Sequence, residues 1–75
     1  MNMKQKKRIE ELLGQLDGIL SELEQIADDE EEKYDNLPES IQESEKGEAI
    51  SEAADAVRDG ANYISEAMEA LEGIL

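Results

Sequence analysis

The side chains with the most chemical potential in this chain are its carboxylates. Asp28-Asp29-Glu30-Glu31-Glu32, followed by Lys33, Tyr34 and Asp35, form the densest cluster, and oxygens this close together invite a divalent cation. They do not spell an EF-hand. That loop alternates its ligands and turns on a glycine at its sixth position, which is Lys33 when counted from Asp28. Carboxylate-bridged di-metal sites in helical bundles add the His of a Glu-x-x-His pair, and the chain has no His. Acid–base catalysis would need two carboxyls driven apart in pKa by burial, yet every acid except Glu30 falls on or near a polar helix face. There is no glycine-rich phosphate loop, nucleophile elbow or Ser with a base at hand. The expectation is no enzyme activity, no metal and no cofactor.

Composition narrows the classes further. The 75 residues include no Cys, His, Trp or Phe, so zinc fingers, thiol or imidazole catalysis and disulfide staples are excluded. Against 7 Lys and Arg stand 21 Asp and Glu, a net charge of -14. Such a charge repels nucleic acid and anionic lipid; a charged partner is expected to be basic. Apolar runs reach only two or three residues, far below the roughly 20 that cross a bilayer. Met1-Asn2-Met3-Lys4-Gln5-Lys6-Lys7-Arg8 leads into Ile9-Glu10-Glu11 rather than an apolar signal segment. A soluble protein of the cytoplasm is expected, with no direct contact to nucleic acid or membrane.

Stepping four and three residues, Ile9, Leu13, Leu16, Leu20, Leu23 and Ala27, continued by Glu30 and Tyr34, occupy alternate d and a positions of a heptad. Leu12, Ile19 and Ile26 lie one residue before each a and widen the stripe. The second half repeats this with Ile50, Ala54, Val57, Ala61, Ile64, Met68, Leu71 and Leu75, flanked by Ala53, Gly60, Ala67 and Ile74. Two helices follow, at about 4–34 and 44–74, joined by a connection at about 35–43 in a single domain. Pro38 forces the break, because it lacks an N–H and drives Leu37 out of helical geometry. Ser44 caps the second helix, or Ser40 starts it with Glu43 as a capping box, or a short helical turn precedes it.

A short connection makes the helices antiparallel. One register then sets a against d throughout: Ile9 with Leu75, Leu13 with Leu71, Leu16 with Met68, Leu20 with Ile64, Leu23 with Ala61, Ala27 with Val57 and Tyr34 with Ile50. Ala53, Ala54, Gly60, Ala61 and Ala67 let the backbones approach. Glu30, opposite Ala54, must be solvated or paired. Lys4, Lys6, Lys7 and Arg8 are expected to neutralise Glu66, Glu69 and Glu72 at the adjoining end of helix 2, where the dipole also favours cations.

The expected fold class is all-α, a coiled-coil-like helical hairpin that dimerises into a four-helix bundle. A two-helix hairpin covers only part of a three-position stripe, so a homodimer is expected through Leu12, Leu16, Ile19, Leu23, Ile26, Val57, Ile64 and Ile74. Carboxylates spaced along a rigid rod imitate duplex phosphates. The residues expected to meet a basic partner in this way are Asp28, Asp29, Glu48, Glu52, Asp55 and Asp59.

The segment Tyr34-Asp35-Asn36-Leu37-Pro38-Glu39-Ser40-Ile41-Gln42-Glu43-Ser44-Glu45-Lys46-Gly47-Glu48, set between acidic heptads, resembles small acidic two-helix proteins encoded by phages and prophages of Gram-positive bacteria. The resemblance implies a phage-related helical protein in the cytoplasm of a bacterial host, and it brings no ligand or active-site residues with it. The function expected is a non-enzymatic protein-binding module or modulator, acting on a host or phage protein as an acidic inhibitor or nucleic-acid mimic. The alternative is a structural or assembly factor that works by helical self-association.

Overall fold

A computed structural model describes the whole chain, Met1–Leu75. It is all-helical and contains three helices, α1 (Met3–Asp35), α2 (Glu39–Gln42) and α3 (Glu45–Glu72). The two long helices pack side by side as an antiparallel hairpin, giving a rod of 58 × 15 × 13 Å. At 1.5 Å per residue α1 alone spans about 50 Å.

Local sequence accounts for where each helix begins and ends. Asn2 caps α1 by accepting a 2.8 Å hydrogen bond from the Gln5 N–H, one of the orphan donors that every helix N-terminus must satisfy. The helix therefore starts one residue before the expected Lys4 and ends one after Tyr34. Pro38 stands at the N-cap of α2, where its missing N–H costs nothing and its carbonyl accepts from Ile41 at 2.8 Å and Gln42 at 3.0 Å. Ser44 caps α3, its Oγ accepting from Gly47 N at 3.4 Å while donating to Ile41 O at 2.5 Å. The expected 35–43 connection thus holds a helical turn, and helix 2 stops at Glu72 rather than 74.

The core is a single seam. Leu13 and Ala27 on α1 and Ala54, Ala61 and Met68 on α3 are its buried apolar members. Ile9, Leu16, Leu20, Leu23, Ile50, Val57, Ile64 and Leu71 are half-buried beside them. This is the four-three row read from the heptads, except at its end: Leu75, expected against Ile9, is 42% exposed because the chain leaves the helix after Glu72. Glu30 enters the seam half-buried, its carboxylate 3.9 Å from Lys33 Nζ.

The corner is latched by backbone. Gln42 Nε2 donates to Tyr34 O at 3.0 Å, a carbonyl at the end of α1 that also accepts from Leu37 N at 3.0 Å, so the corner is held from both sides. Gly47 is buried where α3 passes under α2. A methyl group there would overlap Ile41 O and Gln42 O and sit 2.6 Å from Gln42 Cα. Glycine is needed for this close approach, not for its dihedral freedom.

Gly47→Ala is expected to destabilise the fold by about 1–3 kcal/mol, because the overlapped atoms are backbone and cannot yield. Gly14 and Gly18 lie mid-helix, and a methyl group added at either would stand in open space, so Gly14→Ala and Gly18→Ala should each stabilise by about 0.5–1 kcal/mol. Thermal melts followed by circular dichroism check both signs.

Candidate functional site: one apolar flank and one charged flank

Turning one helix of a coiled coil end for end places the two g rows on one side of the seam and the two e rows on the other. Here those sides differ chemically. The e side carries Glu10, Asp17, Glu24 and Glu31 from α1, with Ser51, Arg58, Ser65 and Glu72 from α3. It is closed by the principal ion pairs of the molecule: Arg58 Nη2 donates to Asp28 Oδ1 at 2.6 Å and to Glu31 Oε1 at 3.2 Å. Helix side chains lean toward their N-terminus, which for α3 is the direction of rising number on α1, so Arg58 reaches up to both acids. Its hydrogen bonds, to Asp28 first and to Glu31 second, raise the guanidinium pKa above its ordinary value.

Between Gln5 and Lys33 on α1, and beyond Lys46 on α3, the g side is apolar and open. Leu12, Ile19 and Ile26 on α1 are 51%, 47% and 48% exposed, and Ile74 on α3 is 48% exposed. Ala53 and Ala67 belong to this side and are exposed, with Gly60 half-buried. Only Ala54 and Ala61, of the small residues expected to bring the backbones together, are buried between them. A further row deepens the flank. Ala49, Ala56, Tyr63 and Ala70 interleave with Ala53, Gly60, Ala67 and Ile74 in an unbroken four-three spacing along α3. Tyr63 in the middle is 69% exposed. Thus α3 carries two apolar stripes about 110° apart at 100° per residue, and α1 covers only one. The second was legible as a repeat of Ala at helical spacing, but Ala is also the commonest filler of an exposed helix surface, so the row carries weight only beside Leu12, Ile19 and Ile26.

Of the residues expected at an oligomer interface, Leu12, Ile19, Ile26 and Ile74 lie together on this flank. Leu16, Leu23, Val57 and Ile64 are half-buried in the seam between α1 and α3. They belong first to the hairpin core and support the flank from beneath.

The expected partner-binding acids divide between two places. Glu48, Glu52, Asp55 and Asp59 are exposed in a row on the back of α3, opposite the seam, continued by Glu66 and Glu69. Asp29 is exposed on α1, whereas Asp28 is engaged by Arg58 and is only partly available. Nowhere do three carboxylates converge to hold a metal ion. The basic residues at the other end depart from expectation: Lys4, Lys7 and Arg8 are exposed, Lys6 is half-buried, and none pairs with Glu66, Glu69 or Glu72. The cause is length. The 33 residues of α1 outrun the 28 of α3, leaving the basic turns beyond the end of the shorter helix.

Surface area expresses the same openness. The chain exposes 5552 Å², whereas a folded monomer of 8.4 kDa is expected to expose about 4,600 Å². No helix is long and apolar enough to cross a membrane. No family model, curated protein or solved structure matches the chain, so the fold and surface carry the functional reading.

Arg58→Ala should lower the melting temperature at low salt, and the deficit should shrink at high salt as the surrounding acids are screened. A deficit independent of salt would assign Arg58 a packing role instead.

Proposed function

We propose that this chain is a non-enzymatic protein-binding module that completes itself as a homodimer, pairing apolar flanks into a four-helix bundle and leaving the acidic back of α3 free for a basic partner. The exposed apolar flank is the observation that carries the reading. It joins Leu12, Ile19 and Ile26 of α1 to the small-residue stripe of α3, whereas monomeric proteins leave large contiguous apolar patches exposed mainly where something binds. The surplus surface, about 900 Å² over a monomer of this mass, is close to the roughly 800 Å² that each partner buries in a standard interface. A buried flank supplies the second layer that a two-helix core lacks.

In this reading the carboxylate ridge Glu48, Glu52, Asp55 and Asp59, with Asp29, presents negative charge to a basic host or phage protein, as an acidic inhibitor or nucleic-acid mimic does. The phage-like connection at Tyr34–Glu48 supports an action in the cytoplasm of a bacterial host. The second reading, a structural or assembly factor, draws on the same flank but gives the ridge only a solubilising role.

Light scattering should return twice the mass of one chain at micromolar concentration, and Ile19→Ser with Ile26→Ser should return one chain of unchanged helicity. A single-chain mass for the unaltered protein would refute the dimer. Recovery from host lysate of a basic nucleic-acid-binding protein, lost at high salt, supports the partner reading; recovery of the chain alone supports assembly.

A further inference from the structure

We propose that the occupant of the apolar flank is a second copy running antiparallel to the first, with Ile19 of both copies on the two-fold axis. The inference rests on the dimer reading above and adds its direction and register.

Two-fold symmetry allows two ways of laying flank on flank. With the axis along the rods, α1 meets the partner's α3 and both basic ends lie at the same end of the bundle, Lys4, Lys6, Lys7 and Arg8 of one copy diagonal to the same four of the other. With the axis across the rods, α1 meets the partner's α1 and α3 the partner's α3, each antiparallel, and the basic end lies along the partner's Glu30–Glu32. Like-charge juxtaposition opposes the first and attraction favours the second.

The midpoint of α1 and the charge pattern beside its apolar row select the same register. Ile19 is the midpoint of α1, Met3–Asp35, so an axis through it makes the two α1 helices coincide end to end, while the two α3 helices overlap over their C-terminal halves. Leu12 and Ile26 are equidistant from Ile19 in sequence, so each Leu12 meets the partner's Ile26 while Ile19 meets itself. The row beside them on α1 reads Arg8, Gln15, Glu22, Asp29; reversed upon itself it sets Arg8 against the partner's Asp29 and Gln15 against the partner's Glu22. All four are exposed. Neither Arg8 nor Asp29 has an ion pair within its own chain. On α3 the same axis lays Tyr63 against the partner's Ala67 and Ile74 against the partner's Ala56, large on small. Gly60, beside which a methyl group would meet nothing within 4 Å, faces the partner's Ala70.

The chain has no Cys, so single cysteines report the arrangement directly. Under mild oxidation Ile19→Cys should form a disulfide-linked dimer, whereas Leu12→Cys should link to Ile26→Cys in a mixture and not to itself. Arg8→Glu should weaken the dimer about tenfold, and adding Asp29→Arg should restore it. Circular dichroism confirms that both retain their helices. A dimer in which Ile19→Cys links only to Ala67→Cys has the parallel arrangement, which overturns this inference and leaves the dimer reading standing. A protein that stays monomeric overturns both.

Discussion

Everything in this molecule depends on one seam, where Leu and Ile of α1 lie against Ala, Val, Ile and Met of α3. The asymmetry in size holds it together. Ala27, Ala54 and Ala61 are 0%, 3% and 2% exposed, so the helices come close at the small residues while the larger side chains fill the levels between. Only 6 of 75 residues are buried, five of them in the seam and the sixth, Gly47, at the corner, which makes the seam the whole core. A domain with so little interior is marginal alone.

The seam also decides what remains outside. Because α1 can cover only one of the two apolar stripes on α3, antiparallel packing necessarily leaves the second, and the g row of α1 beside it, facing solvent. The opposite flank closes with Arg58 on Asp28 and Glu31, so one side is electrostatically finished and the other is not. Charge sorts along the rod as well. The basic residues gather at the start of α1 and acids dominate elsewhere, giving the rod a direction. In the proposed dimer the apolar flank supplies affinity and the polarised rod supplies orientation.

The hairpin was largely legible in the sequence because its signal is periodic. The four-three row from Ile9 to Tyr34, its repeat from Ile50 to Leu71, the break at Pro38 and the Ser44 cap are each local patterns with a local physical cause. What escaped depended on three-dimensional proximity or on ambiguous residues. Gly47 reads as a weak point in a helix until α2 is seen pressed against it. Arg58 is one cation among many acids, and which of them it meets follows from the lean of side chains across an antiparallel pair. The fate of Lys4, Lys6, Lys7 and Arg8 turned on α3 ending at Glu72, where Gly73 is its C-cap, short of the 74 to which the heptad row pointed. The candidate flank was half visible: Leu12, Ile19, Ile26 and Ile74 stood out, but the Ala row on α3 was indistinguishable from ordinary helix filler.

The central claim is that the rod is half of a side-by-side bundle. Small-angle X-ray scattering measures mass and length in one experiment and so tests it most directly. The account predicts twice the mass of one chain with a long dimension still near the 58 Å of a single hairpin. A single-chain mass at that length, or a doubled mass with about double the length, would contradict it.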